Sequence, residues 1–208
     1  AQGLFATLII GTIIQQIGTY CGGNIGDLIF TLGKVAAGLT GAGIGAGVAR
    51  KLDAGHLVIV SAAVAGMIGA FAGDVMSGSI VNEGSLVLSG PGEPLGAFVA
   101  AYIAIEIGIL ISGKTKLDII LTPLVCIGVG SAVGLLVGPP ISGFMSWLGS
   151  LINWGTEQQP FVMGIVVSVL MGMILTLPIS SAALGVILNL SGLAAGAATV
   201  GCCCNMIG

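Results

Sequence analysis

Charged residues are scarce in this sequence, which has 5 Lys or Arg and 8 Asp or Glu among 208 residues. A soluble domain usually has about 25% charged residues, and a chain with 6% could not cover its surface with them. Hydrophobic residues make up 56% of the chain. The apolar segments must therefore face lipid or one another within a bilayer, and the sequence predicts an integral membrane protein.

Basic residues and metal-binding residue types are also few. A net charge of −3 without a Lys or Arg cluster argues against a nucleic-acid partner. The chain has one His and five Cys, and none of the cysteines forms a C-x-x-C pair, so we predict neither a metal site nor a cofactor. The cysteines are expected to be small apolar packing residues. The sequence also offers no catalytic nucleophile.

The apolar runs predict an all-α polytopic membrane protein with about six spanning helices. The expected spans are residues 4–17, 28–49, 57–76, 95–112, 119–137 and 161–177. Pro139 and Pro140 are expected to end the fifth span, and the next apolar segment, 141–154, is too short to cross a core of about 30 Å as a helix. We therefore expect short re-entrant or broken helices after residue 138.

The basic residues predict an orientation for the middle of the chain. Arg50, Lys51, Lys114 and Lys116 are four of the five basic residues, and two expected spans separate the two pairs. Both pairs are therefore expected on the cytoplasmic side. The intervening loop, 77–94, contains two Glu and no Lys or Arg, which is typical of the outer side.

Glycines recur every four residues in several apolar runs, a spacing that lets helix backbones approach closely in a membrane. The sets are Gly18, Gly22 and Gly26; Gly41 and Gly45; Gly130, Gly134 and Gly138; and Gly192 and Gly196. The run "GAGIGAG" lacks the spacing of a dinucleotide-binding loop, and no strand is expected before it. We predict that these glycines form packing faces.

Three charged residues fall inside expected spans, where a charge is costly and usually has a partner or a function, and one of them, Asp74, lies near the outer end of its span. Lys34 could reach the outer interface or share a helix face with Asp27. Glu106 lies deeper in its span, and the sequence leaves two interpretations open, a buried site or an ion pair with Lys34.

Glu157 is the only charged residue after Asp118, and Gln158 and Gln159 follow it directly. A carboxylate and two amides can accept from and donate to hydroxyl groups. Re-entrant hairpins bring such polar tips to binding sites near the membrane midplane. The alternative is an ordinary loop outside the membrane between two helices.

Several blocks of the sequence resemble a known family. The segment "LTPLVCIGVGSAVGLLVGPPISGF", the following "PFVMGIVVSVLMGMILTLPISSAALGVI", and the blocks "GPGEPLGAF", "INWGTEQQPF" and "GCCCNMIG" resemble the membrane (IIC) component of the sugar phosphotransferase system. The similarity is greatest to the IIC-like membrane proteins of the perfringolysin-regulator type. It covers nearly the whole chain.

The resemblance implies a permease subunit that carries a sugar across the bacterial cytoplasmic membrane and works with cytoplasmic IIB and IIA components. It also implies a multi-pass membrane protein and a homodimer. In this interpretation Glu157, Gln158 and Gln159 contact sugar hydroxyls, and Ser180 and Ser181 line the same cavity. The chain departs from better-known branches in lacking a phospho-accepting domain, and "GTEQQP" only partly matches the family's Glu motif.

Two other functions remain open at this point. A IIC-like protein could act as a membrane sensor or regulator, or as a secondary transporter that uses Glu106 or Glu157 to carry protons. We treat residues 1–208 as a single IIC-like domain. Because the chain starts with Ala beside an apolar run and ends without a polar tail, we expect it to be an internal piece of a longer protein.

Overall fold

The computed structural model describes residues 2–78, 81–82, 85–86, 90, 92–114, 117–156, 160–175 and 192–207. Residue contacts divide the chain into two compact units, unit 1 (Ala1–Ser142) and unit 2 (Gly143–Gly208). The helices confined to unit 1 are α1 (Gln2–Leu4), α2 (Ile10–Cys21), α3 (Gly23–Gly38), α4 (Thr40–Lys51), α5 (His56–Ala70), α6 (Ala72–Ser77) and α7 (Pro94–Ile111), with a π-helical segment, Phe5–Ile9, between α1 and α2.

The remaining elements among the described residues are one long helix, two further helices and a small hairpin. Helix α8 (Asp118–Thr156) begins in unit 1 and ends in unit 2, which also contains α9 (Pro160–Leu175) and α10 (Gly192–Ile207). Strands β1 (Val81–Asn82) and β2 (Ser85–Leu86) pair antiparallel in unit 1. The prediction of an all-α architecture is thus confirmed apart from this two-residue pairing.

Helix length supports a membrane protein but leaves the number of spans open. In the part of the chain that the structure describes, two helical segments are long and apolar enough to cross a bilayer, Pro94–Ile111 and Asp118–Phe144. A third qualifies if α3 and α4, bent by 48° relative to each other, count as one span. The shorter apolar helices of the described chain are Phe5–Cys21, His56–Ala70, Pro160–Met173 and Gly192–Asn205. About six spans therefore stays a prediction.

The expected break at Pro139 and Pro140 is wrong, because α8 runs through both prolines for 39 residues. A proline inside a helix removes its own N–H from the hydrogen-bond ladder and its ring crowds the carbonyl of the preceding turn, but neighbouring helices can hold such a helix together in a membrane. A methyl group placed on Gly138 would collide with the Cβ of Ala72, so this part of α8 packs tightly against the start of α6. The segment 141–154 continues the same helix and is not a separate short one.

The second expected span is instead broken at Leu39, where α3 ends and α4 begins with the 48° bend. Before it, α2 and α3 form a tight pair joined at Gly22 and Gly23, whose φ angles are +60° and +65°. These left-handed angles favour glycine, which lets the chain reverse between the two helices. Gly22 is therefore part of a turn and does not contribute to a packing face.

Helices α5, α7 and α8 pack through their backbones in the centre of unit 1. A methyl group placed on Gly69 of α5 would lie 2.5 Å from the Cβ of Ala100 and 2.7 Å from the carbonyl oxygen of Gly96, both on α7. One placed on Gly130 of α8 would lie 2.7 Å from Ala104 Cβ. Carbon atoms normally stay about 3.5–4.0 Å apart. Glycine is therefore required at these contacts for the helices to approach so closely.

Most of the predicted glycine faces are confirmed by such contacts. Gly134 and Gly138 continue the α8 face, Gly41 and Gly45 lie against α5, and Gly18 and Gly26 join α2 to α3. Gly192 and Gly196 differ, because no described atom lies within 4 Å of a methyl group placed on either. That pair is not confirmed as a packing face.

The loops predicted to share one side of the membrane lie at the same end of unit 1. A methyl group placed on Gly55, which precedes α5, would be 3.7 Å from the hydroxyl oxygen of Ser112, which follows α7. At the opposite end, the backbone N–H of Glu93 donates to the carbonyl oxygen of Ala70 over 2.7 Å. Helices α5 and α7 are therefore antiparallel, and the two basic loops meet as the charge pattern predicts.

Unit 2 has a separate apolar core. Its buried side chains come from the end of α8, from α9 and from α10, and they are Ile152, Met163, Val167, Met171, Ala194 and Ala198. A methyl group placed on Gly201 of α10 would collide with the carbonyl oxygen of Ser168 on α9. This contact brings the two helix backbones together in the same way as in unit 1.

Candidate functional site

The predicted polar set falls at two gaps in the described chain. Glu157, Gln158 and Gln159 follow the last residue of α8, and Ser180 and Ser181 lie in the segment between α9 and α10. All five lie outside the described residues. The assignment of this set to a binding site therefore stays a prediction.

The helices that flank Glu157 are described, and they pack side by side within unit 2. A methyl group placed on Gly155 would lie 2.8 Å from a side-chain carbon of Val166, and Ile152 shares a buried cluster with Met163. Only three residues connect Thr156 to Pro160, at the ends of these packed helices. Helix, short polar connection and helix thus occur in the order that the hairpin hypothesis requires.

The ion pair between Lys34 and Glu106 is not observed. Lys34 lies on the exposed face of α3, and within the described chain neither it nor Asp27 takes part in an ion pair. Glu106 is exposed on α7 and accepts a hydrogen bond from the hydroxyl of Tyr102, one helical turn earlier. The alternative interpretation of Glu106 as a buried site stays a prediction.

Glu106 belongs to a narrow exposed face of α7. Tyr102 and Phe98 precede it at intervals of four residues, and their rings are stacked with centroids 6.1 Å apart and an interplanar angle of 21°. About two fifths of each ring residue is exposed, 41% for Phe98 and 42% for Tyr102. Apart from Ile105, the buried residues of α7 are all Gly or Ala. The small residues therefore face the helix core, and the two aromatic residues and the acid remain uncovered.

A second polar cluster lies at the other end of α7, where Glu93 precedes the span Pro94–Ile111 and Ser142 lies near the end of the span Asp118–Phe144. The Glu93 carboxylate accepts a hydrogen bond from the Ser142 hydroxyl of α8, and Asp74 of α6 is close enough to repel its charge. Burial raises the pKa of Glu93 above its ordinary value of 4.5, the Ser142 hydrogen bond opposes that rise, and the Asp74 charge adds to it. The cluster joins three helices at the end where the 77–94 loop leaves the core.

The opposite end of unit 1 is basic. Arg50 and Lys51 end α4, His56 begins α5, and Lys114 follows α7, and all four side chains are exposed. The C-terminal end of a helix attracts positive charge, so the position of Arg50 and Lys51 also favours α4. This face can attract an anionic group or an acidic protein surface.

The sequence predicted that the cysteines are small apolar packing residues, but their environments differ from one another. Cys126 of α8 is buried between α7 and α5, as a small packing residue would be, whereas Cys203 and Cys204 are exposed. Among the described residues, no group of three or more His, Cys, Asp and Glu side chains is arranged to hold a metal ion.

The contact between Glu93 and Ser142 was missed by the sequence analysis, because 49 residues separate the two positions and neither lies in a spacing motif. One local signal was available. Glu93 precedes Pro94 at the start of α7, a position where proline is common and where the preceding residue takes an extended conformation. The Tyr102–Glu106 spacing of four residues was a second signal, because such pairs lie on one helix face.

These features define an α-helical membrane protein, with apolar spans and close glycine packing, in which the charged residues that the structure describes lie near helix ends or on exposed faces. The whole chain, residues 1–208, matches the family model described as phosphotransferase system, EIIC. The chain therefore belongs to the EIIC family, which confirms the resemblance found in its sequence. Comparison with curated proteins and with solved structures gave no match. Membership of this family implies a sugar substrate and cytoplasmic phosphotransferase partners.

Proposed function

We propose that this protein is the IIC permease subunit of a sugar phosphotransferase system and carries sugar across the bacterial cytoplasmic membrane by alternating access. The observation that carries this proposal is the family match over the complete chain. The two long apolar spans and the glycine-packed helices of unit 1 are consistent with a multi-pass protein.

In this proposal the sugar is held by Glu157, Gln158 and Gln159, with Ser180 and Ser181 on the same cavity. The support is chemical and local. Carboxylate, amide and hydroxyl groups match the hydrogen-bonding needs of sugar hydroxyls. In addition, α8 and α9 pack together on both sides of the three-residue connection. Polar connections between packed helices form binding sites in transporters that expose a bound substrate to one side at a time.

The basic end of unit 1 would face the cytoplasm and receive the IIB component. Arg50, Lys51 and Lys114 lie exposed at that end, and cytoplasmic loops of membrane proteins carry an excess of Lys and Arg. Phosphoryl transfer to the sugar would be carried out by IIB, after IIA has supplied the phosphoryl group. The protein would act as a single IIC domain and as a homodimer.

The test is uptake of radiolabelled sugars by membrane vesicles that contain the protein together with its IIA and IIB components. Glu157→Gln keeps the size of the side chain and removes its charge, and it should reduce uptake at least about 10-fold, as expected when a charged hydrogen-bond partner is lost. Asp27→Asn is the matched control, because Asp27 is exposed on α3 and forms no ion pair in the described chain.

Unimpaired uptake by Glu157→Gln would remove this residue from the site. Uptake that needs neither IIA nor IIB and stops when an uncoupler is added would instead identify an ion-coupled transporter. Sugar binding without flux would identify a sensor.

A further inference from the structure

The exposed face of α7 combines two features that rarely occur together on a membrane-spanning helix. Glu106 is the only charged residue within Pro94–Ile111. Phe98 and Tyr102 are two of the 10 aromatic residues of the chain, and Tyr102 donates directly to the Glu106 carboxylate. Two partly exposed rings and a carboxylate therefore follow one another along about 12 Å of helix, at a rise of 1.5 Å per residue.

We infer that Phe98, Tyr102 and Glu106 form a carbohydrate-binding surface, distinct from the Glu157 set, along which sugar passes through unit 1. This inference rests on the proposed transport of sugar. A sugar ring has an apolar face of C–H groups, which packs against an aromatic ring, and a rim of hydroxyls, which donate to a carboxylate. Small-molecule sites typically combine aromatic surface with a few convergent polar groups of this kind.

The hydrogen-bonding capacity of Glu106 supports a polar ligand. An ionised carboxylate can accept about four hydrogen bonds, and the Tyr102 hydroxyl supplies one. Leaving the remaining capacity against lipid would be unfavourable, because a carboxylate at the centre of a spanning helix costs several kcal/mol. Hydroxyl groups of a sugar, or the water that surrounds it, satisfy the remaining sites.

A second copy of the chain fits this face less well. Two α7 helices related by a twofold axis would bring two Glu106 carboxylates towards each other, and like charges in such a medium repel strongly. Lys34 of another copy could not reach Glu106 at the same depth. Counted at 1.5 Å per residue, Glu106 lies about 8 Å along α7 from the basic end, whereas Lys34 on α3 is separated from that end by the whole of α4, about 18 Å.

Full-length protein in lipid nanodiscs would test the surface, with D-glucose, D-fructose, D-mannitol, N-acetyl-D-glucosamine and lactose as probes. Binding of each labelled sugar is measured for the wild type, Tyr102→Ala, Tyr102→Phe and Glu106→Gln. Leu110→Ala is the matched control, since Leu110 is exposed on α7 one turn beyond Glu106. For the sugar that the wild type binds, Tyr102→Ala and Glu106→Gln should each weaken affinity about 10- to 100-fold.

Tyr102→Phe keeps the ring and loses only the hydroxyl, so it should weaken affinity less than Tyr102→Ala. A second measurement does not depend on these variants keeping full stability. The bound sugar should slow maleimide labelling of Val99→Cys, which lies beside Tyr102 on α7 and keeps the Tyr102 ring, and it should leave the labelling of Leu110→Cys unchanged.

The outcomes separate this inference from the proposed function. If the wild type binds and transports a sugar but the Tyr102 and Glu106 variants behave like Leu110→Ala, and the sugar does not protect Val99→Cys, the α7 surface is refuted and the permease stands. If the wild type neither binds nor transports any of the probes with IIA and IIB present, both proposals fail.

Discussion

Replacing Gly130 with alanine is expected to loosen the contact between α5, α7 and α8, whereas the same change at Gly128 is not. The two glycines lie two residues apart on α8. A methyl group on Gly130 would lie 2.7 Å from Ala104 Cβ and 2.9 Å from Ala65 Cβ, whereas one on Gly128 would have no described atom within 4 Å. Gly130→Ala thus tests the close packing directly, with a control on the same helix.

The size of the effect follows from these distances. Carbon atoms pack at about 3.5–4.0 Å, so the helices must separate by several tenths of an ångström or more to admit the methyl group. Overpacking of this kind costs about 1–3 kcal/mol. Both variants gain similarly from the better helix propensity of alanine, and that gain cancels in the comparison. Gly130→Ala should therefore be about 1–3 kcal/mol less stable than Gly128→Ala. Each kcal/mol corresponds to a melting temperature lower by about 2–4 °C.

Cys126 provides the assay, because it is buried in the same contact. With the other four cysteines replaced by alanine, a dye that fluoresces on reacting with a thiol reports the opening of this core during heating in detergent. The sulfur of Cys126 would lie 2.7 Å from a methyl group on Gly108, which places it between α8 and α7. Labelling of Gly130→Ala should begin at a lower temperature than labelling of Gly128→Ala.

The double variant Gly130→Ala, Ala104→Gly removes one of the two colliding methyl groups, and it should recover part of the lost stability. Equal melting temperatures for Gly130→Ala and Gly128→Ala would refute the close approach of these helices. Recovery that is absent from the double variant would show that Ala104 is not the neighbour of Gly130.

Two further predictions concern charge and orientation. Because burial raises the pKa of Glu93, its charged form is less favourable in the folded than in the unfolded protein, and stability falls as the pH rises through the raised pKa. Glu93→Gln should therefore be more stable than the wild type at neutral pH. In thermal unfolding measured at a series of pH values, this advantage should disappear below pH 4.5, the ordinary pKa of a Glu side chain. An advantage that does not change with pH would contradict this prediction. The expected orientation places His56 on the cytoplasmic side and Met76 on the outer side. In a cysteine-free background, a membrane-impermeant maleimide should therefore label His56→Cys only in inverted vesicles and Met76→Cys only in intact cells. Labelling of both positions from one side would refute the orientation.

The sequence predicted the helix faces of unit 1 well, because the signal was local. Gly130, Gly134 and Gly138 recur on one face of α8, and a glycine in an apolar run has few uses other than close packing or a turn. The meeting of the two basic loops followed in the same way from the number of spans between them. These predictions needed only helix periodicity and the cost of charge in a membrane.

The sequence failed where tertiary contacts override a local preference. Pro139 and Pro140 would be expected to end an isolated helix, but α8 continues through both, and the neighbouring Gly138 packs against Ala72. The sequence also suggested a wrong partner for Glu106, because Lys34 carries the opposite charge and lies in another expected span. The actual partner, Tyr102, is a neutral donor one turn away.

For the sugar set around Glu157 the sequence remains the only guide. Its chemistry could be read from residue types, but its geometry depends on two connections outside the described helices. The α7 surface is the reverse case. Its aromatic residues were not recognised as a group in the sequence, and they became one only when the structure showed which face of α7 is covered.

The glycine and alanine contacts of α5, α7 and α8 also limit how this protein can vary. An ordinary core tolerates exchange in both directions, because a leucine can become smaller or be compensated by a larger neighbour. Gly69, Gly130 and Ala104 are already the smallest residue types, so nearly every substitution at these positions enlarges the side chain. Sequence drift in these three helices should be confined to exchanges among the smallest residues, while their outward faces remain free to acquire new specificity.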